Sequence, residues 1–173
     1  MSSYKEKLRH IRTFIFDVDG VFTDNIVYLT AEGEQMRTAN VRDGYAVQLA
    51  VKKGFLIAII SGGRSIGVQK RFDALGVEHV FLGSSNKMSA LNSFLLEHFI
   101  DAEHVCYMGD DIPDHDVMKK VGLAVCPADA APEIKAVSEY ISPYGGGRGC
   151  VRDILEQALK VQGKWMDDEG KIW

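Results

Sequence analysis

The sequence predicts a doubly wound α/β domain built on a parallel sheet. Two observations predict it. Short apolar runs ending in polar or glycine-rich turns recur along the chain, and segments with helical spacing alternate with them. A third concerns size: 173 residues suffice for one full core, with no internal repeat, low-complexity segment or linker to divide it.

Taken in order, Met1 to Arg12 is polar, and the apolar run Phe14-Ile15-Phe16 predicts a buried strand that stops at Asp17-Val18-Asp19-Gly20. Asn25 to Thr30 and Gln35 to Asn40 flank Ala31-Glu32-Gly33-Glu34, a pattern that predicts a β-hairpin turning at Gly33. It is the one insertion into the strand-helix rhythm. Asp43-Gly44 precedes a helix expected from Tyr45 to Val51 and ending near Gly54. Phe55 to Ile60 is continuously apolar, as in a strand covered on both faces, and stops at Ser61-Gly62-Gly63. A helix is expected over Arg64 to Leu75 with Gly76 as its C-cap, then a short strand from Glu78 to Leu82.

Ser84-Ser85-Asn86 are capping candidates for a helix carrying Met88, Leu91, Leu95 and Phe99 at helical spacing. Lys87 then sits at the positive end of that helix, which opposes the macrodipole by about 0.3–1 kcal/mol and calls for an anion nearby. His104 to Met108 predicts a strand that ends in Gly109-Asp110-Asp111-Ile112-Pro113-Asp114, with Pro113 opening a helix through Lys120. Leu123 to Cys126 and Tyr140-Ile141 are short strands separated by a helix around Pro132 to Val137. Gly145-Gly146-Gly147-Arg148-Gly149 leads into an amphipathic helix from Val151 to Val161. The expectation is one Rossmann-like domain over residues 1–173, with the hairpin at about 25–40 and a polar tail at about 163–173 that carries Trp165 and Trp173.

Composition narrows the function. The 20 basic and 24 acidic residues give a net charge of −4, and no basic block suggests nucleic acid or a membrane surface, so a small-molecule partner is favoured. Cys106, Cys126 and Cys150 are far apart without zinc-ligand spacing and read as reduced thiols. The polar N-terminus lacks an apolar signal region and Phe55 to Ile60 is far too short to span a bilayer, so a cytoplasmic protein is expected.

Asp17 and Asp19, two apart at a strand end, would project the same way and crowd two negative charges unless a cation, a proton or donors compensate. The other polar clusters, Ser61, Lys87 and Asp110/Asp111/Asp114, also follow a strand or open a helix, which puts them on the rim where open α/β sheets bind ligands. Oxygen ligands alone suit a hard cation, and Mg²⁺ is the usual partner of a few carboxylates and a phosphate. A carboxylate can attack phosphorus when metal and lysine screen the charges. Each cluster also has a plainer reading: a solvated turn at Asp17 and Asp19, a helix cap at Ser61, a surface lysine at Lys87, helix-start acids at Asp111 and Asp114. An EF-hand fails on spacing, because its glycine position is Phe22 and its twelfth position Tyr28. The glycine run before Arg148 reads as a turn and lacks the lysine of a phosphate loop.

Taken together, Asp17-Val18-Asp19-Gly20, Ser61, Lys87 and Gly109-Asp110-Asp111-Ile112-Pro113-Asp114 resemble the ordered motifs of the haloacid dehalogenase phosphohydrolase superfamily. The resemblance implies Asp17 as nucleophile and Asp19 as general acid and base. It implies Ser61 and the amides near Gly62 as phosphate ligands, and Lys87 as the neutralising cation. Mg²⁺ would be held by Asp17, the Asp19 carbonyl and Asp110, with Asp111 and Asp114 as supporting acids. Asp17 to Asp24, Val41 to Gly44, Ser61 to Ser65 and Gly146 to Arg152 are similar to the capless 3-deoxy-D-manno-octulosonate 8-phosphate phosphatases. That resemblance implies a phosphatase of a sugar-acid phosphate on the way to lipopolysaccharide. It also implies a homotetramer of associated hairpins whose neighbouring subunits complete each site, with Arg64 as candidate for the substrate carboxylate, against a plain helix-face arginine. The chain departs from the pattern with an extra glycine before Arg64 and with Cys150 in place of alanine. Phosphatases of the related nine-carbon acid carry a glutamate after Ser/Thr-Gly, where this chain has Gly63. A receiver-type signalling module would place its phosphorylated aspartate after a middle strand, where this chain has Ser61, and the complete acid set argues against an idle scaffold.

Overall fold

A computed structural model describes residues 3–166 and 168–171. Six parallel strands form the central sheet: β1 (Thr13–Phe16), β4 (Leu56–Ile60), β5 (His79–Phe81), β6 (Val105–Met108), β7 (Leu123–Cys126) and β8 (Tyr140–Ile141). Their order is β5-β4-β1-β6-β7-β8, so the direction of winding reverses between β1 and β6. The crevice outside the carboxyl ends of those two strands is where a doubly wound sheet binds its ligand.

Strand alternation sorts the core into two layers. Phe14 and Phe16 of β1 face one side with Ile57, Ile59 and Met108, under α2 (Val41–Lys52), α3 (Ile66–Ala74) and α7 (Cys150–Val161). Ile15 faces the other with Ala58, Ile60 and Tyr107, under α4 (Lys87–Glu97), α5 (His115–Lys120) and α6 (Pro132–Val137). Both faces of β1, β6 and β7 are covered, which is why their runs are apolar without alternation. The hairpin, β2 (Tyr28–Leu29) with β3 (Gln35–Met36), lies between β1 and α2 and turns at Gly33, whose φ is +85°.

Several elements differ from expectation. The polar N-terminus forms α1 (Tyr4–Leu8), closed by a capping box between Ser3 and Glu6 that buries Leu8. Helix α2 starts before Asp43-Gly44, because Asn40 accepts the Arg42 and Asp43 N–H groups and starts the helix at Val41. Helix α3 begins at Ile66 rather than Arg64, with Ser65 as its N-cap. Phe99 lies beyond the end of α4 with φ +54° and is 95% exposed, so it is not a core position. Pro113 opens a 3₁₀ turn, Ile112–Asp114, and α5 follows it; the Asp114 side chain makes no cap there and is used elsewhere. Among the described residues no helix is long and apolar enough to cross a membrane. Trp165 lies against the core within cation–π distance of Arg152 and Lys160, and Tyr45 donates its hydroxyl to the Gly170 carbonyl. Trp173 lies outside the described residues.

Candidate active site

β1 and β6 deliver Asp17 and Asp110 to the switch point, and the first residue of α4 delivers Lys87 between them. Lys87 is buried and its Nζ lies 2.8 Å from Asp17 Oδ2 and 2.7 Å from Asp114 Oδ1. These are the anions that a lysine at a helix N-terminus calls for. Asp114 is fully buried, accepts the Tyr107 hydroxyl at 2.6 Å and also accepts the Asp110 N–H at 3.3 Å. Asn25, held at φ +63°, donates to Asp110 Oδ2 at 2.8 Å. Ser61 is buried at the end of β4, where its Oγ accepts the Gly63 N–H at 3.3 Å.

Asp17, Asp19, Ser61, Gly62, Lys87 and Asp110 line a cavity of about 490 Å³. Asp111 lines its edge but is exposed, and its Oδ1 accepts the Ile112 N–H and so closes the turn. Arg64 lies outside, in an adjoining cavity of about 850 Å³ between the hairpin and α3, against Gly83. Asp24 accepts the Ile26 N–H at 3.4 Å and lies 3.4 Å from Arg148, an anchor for the base of the hairpin.

Electrostatically the cluster is short of positive charge. Burial, with the neighbouring Asp114 charge, pushes the Asp17 carboxyl up to about 7 although Lys87 pulls it down. Burial likewise raises Asp110 to about 6 against the hydrogen bond from Asn25. At Lys87, burial opposes the ammonium, but the carboxylates of Asp17 and Asp114 outweigh it and keep its pKa above the usual lysine value. One oxygen each from Asp17, Asp110 and Asp114 lies within 4.8 Å of the others. Three buried carboxylates around one lysine, with oxygen donors only, fit a hard divalent cation.

Three residues of this site are not candidates from the sequence, Arg37, Asn25 and Tyr107, while Asp114, expected as a supporting acid, is a full member of the carboxylate cluster. Arg37 grips Asp19 in a fork, Nε to Oδ1 at 2.6 Å and Nη2 to Oδ2 at 3.0 Å. A phenol inside the apolar β6 run is the only local hint of Tyr107, since a buried hydroxyl needs a partner. Arg37 and Asn25 carry no such hint.

Residues 79–149 match the family described as haloacid dehalogenase-like hydrolase. The 3-deoxy-D-manno-octulosonate 8-phosphate phosphatase KdsC of Escherichia coli K12 is 40% identical over 165 residues, covering 95% of this chain and 88% of that protein. The crystal structure of the Yersinia pestis phosphatase of the same name superposes with a TM-score of 0.90 at 37% identity, covering 92% of this chain and 86% of that one. The Moraxella catarrhalis phosphatase, solved in complex with magnesium ion, phosphate ion and a KDO molecule, superposes with a TM-score of 0.89 at 33% identity over 92% of this chain and 91% of that one. At this level of identity over nearly the whole length, the chain belongs to the 3-deoxy-D-manno-octulosonate 8-phosphate phosphatases, within the haloacid dehalogenase-like hydrolases.

Proposed function

We propose that this protein is a Mg²⁺-dependent phosphomonoesterase that converts 3-deoxy-D-manno-octulosonate 8-phosphate to the free sugar acid and phosphate, a step toward lipopolysaccharide sugar. The observation that carries it is the buried Asp17–Lys87–Asp114 cluster beside Asp110, facing a cavity of about 490 Å³ at the switch point, in a chain of this family.

Asp17 is the nucleophile. Its carboxylate oxygen forms a bond to phosphorus as the bond from phosphorus to O8 breaks, and Asp19 gives a proton to the departing O8. Water then attacks the aspartyl-phosphate: its oxygen bonds phosphorus, the Asp17 oxygen leaves, and Asp19 takes the water proton. Lys87 offsets the charge on Asp17 and on the phosphoryl oxygens, while Ser61 and the Gly62 amide hold those oxygens. Asp17, the Asp19 carbonyl and Asp110 would hold Mg²⁺, with Asp114 and Asp111 behind them. When bound, Mg²⁺ supplies Lewis-acid polarisation of the phosphoryl group and the missing positive charge.

The protein works as a single capless domain in the cytoplasm and as a homotetramer in which neighbouring subunits complete each site. The hairpin supports the assembly, since it exposes Ile26, Tyr28, Leu29 and Met36 together.

Phosphate release from a panel of sugar-acid phosphates, with and without Mg²⁺, tests the function. The eight-carbon 8-phosphate is expected to be turned over best and only with metal. Asp17→Asn is expected to lose activity by a factor on the order of 10⁴ or more with the fold retained. Preference for the nine-carbon 9-phosphate would replace the substrate, and an active Asp17→Asn would remove the nucleophile.

A further inference from the structure

The Asp19–Arg37 pair is unexpected for a residue that must reach a leaving oxygen. Both Asp19 oxygens accept from the guanidinium; each keeps a second lone pair, but the fork fixes where the carboxylate points. Arg37 is itself held to the hairpin, donating from Nη1 to the Gln35 carbonyl at 3.0 Å, and its side chain is only 9% exposed. The pair stands where the two cavities meet. Gly63 lines both of them, and a Cβ there would lie 3.3 Å from Arg37 Nη2 and 3.3 Å from Asp19 Oδ2. The extra glycine before Arg64 therefore leaves open the passage in which the fork sits.

The larger cavity on the far side of Arg37 is cationic. Arg37, Arg64 and Arg71 line it against one acid, Glu34, and Arg64 makes no hydrogen bond or ion pair with any described residue. A carboxylate entering it meets a guanidinium whose fork already holds a carboxylate. Exchanging one carboxylate for another costs little, because both offer the same two acceptors in the same plane. A neutral alcohol offers no such match, and a ligand shifts an equilibrium only by its differential affinity for the two states.

We infer that Arg37 is a latch on Asp19 which a carboxylate on the leaving group of the substrate releases, so that recognition of an acid in the hairpin cavity frees the general acid for the phosphate in the other. The inference rests on the proposed phosphatase function and deepens it. It makes Arg37 a specificity-determining residue that acts through Asp19, and the class selected is a phosphate ester whose leaving alcohol carries a carboxylate. For a neutral alkyl phosphate the fork stays closed and turnover is slow even when the phosphate is bound.

The test uses the full chain with Mg²⁺ and two esters, 3-deoxy-D-manno-octulosonate 8-phosphate and glycerol 3-phosphate, with wild type, Arg37→Ala and Arg37→Lys. Arg37→Ala is expected to lower kcat/KM for the sugar acid by about 10-fold or more and to raise kcat for glycerol 3-phosphate several-fold. A merely structural arginine would lower both. Arg37→Lys keeps the charge without the fork and is expected to move both rates in the same directions by less, which covers the case of an alanine variant that does not fold. A glycerol 3-phosphate kcat that falls or stays level in the folded variant overturns the latch. Failure of the underlying function has a different signature: wild type itself would show no preference for the sugar acid.

Discussion

At the scale of single residues, Asp43 shows how a fold can hold a group at a cost. It lies fully buried in the first turn of α2, its Oδ1 accepts the Arg152 N–H at 2.7 Å, and its Oδ2 has no hydrogen-bond partner among the described residues. The acceptor caps the first turn of α7, whose own N-cap, Gly149, has no side chain to do so. Burial pushes the carboxyl up to about 6, against the pull of the nearby Arg152 and Gly149 backbone N–H groups. Its folded pKa therefore lies above the unfolded value near 3.9. Below about pH 4 both states carry the proton; as pH rises toward 6 the unfolded chain ionises first, and the fold loses roughly 2–3 kcal/mol from this group. Asn at 43 keeps the acceptor and cannot ionise. In urea titrations, Asp43→Asn is expected to gain stability relative to wild type by about that amount between pH 4 and pH 7; parallel pH profiles would show that the carboxylate is not strained.

At the scale of elements, the glycine run before α7 is neither a loose turn nor a phosphate loop. It is packed against the backbone of the loop that carries Asp17 and Asp19. Gly147 donates its N–H to the Val21 carbonyl at 2.9 Å and accepts from Asn40 Nδ2 at 3.1 Å, and the Cys150 thiol donates to the same Val21 carbonyl at 3.2 Å. A Cβ on Gly146 would lie 2.1 Å from the Gly20 carbonyl oxygen. Cys150, which departs from the usual alanine, thus adds a contact to the clamp. Gly146→Ala must displace one loop or the other, at a cost of about 1–3 kcal/mol. Scanning calorimetry is expected to show a Tm lower by roughly 2–12 °C, with kcat reduced as the Asp17 loop shifts; an unchanged Tm with unchanged kcat would remove the clamp. The sequence shows only a turn here; what packs against it is a loop more than a hundred residues earlier.

At the scale of the molecule, the hairpin is the element least able to stand alone. Two strands of two residues each make a marginal ribbon, and the apolar side chains of Ile26, Tyr28, Leu29 and Met36 face solvent in the single chain. Association of hairpins would cover them, and it would hold Arg37, one residue past β3, in place over Asp19. Sedimentation of the wild type at micromolar concentration is expected to give the tetramer, and Leu29→Glu is expected to dissociate it with loss of activity. A monomeric, active wild type would overturn the assembly.

What the sequence determined by itself is local. Apolar runs stopped by Asp17, Ser61 and Gly109 marked the strands, and the spacing of apolar residues marked most helices, because periodicity and turn chemistry are properties of neighbours in the chain. From alternation alone the parallel doubly wound sheet followed, and with it the convergence of strand ends that carries Asp17, Ser61, Lys87 and Asp110 into one cavity. The short-range differences at the starts of α1, α2 and α3 turned on caps at Ser3, Asn40 and Ser65. Tertiary structure alone decided the partners. Asp19 is taken by Arg37, 18 residues on, and Asp110 by Asn25, 85 residues back, while Asp43 is buried by α7. No spacing rule links such pairs. Their meeting depends on where the hairpin and α7 land on the sheet, and a charged side chain shows its role only when its counter-charge is in place.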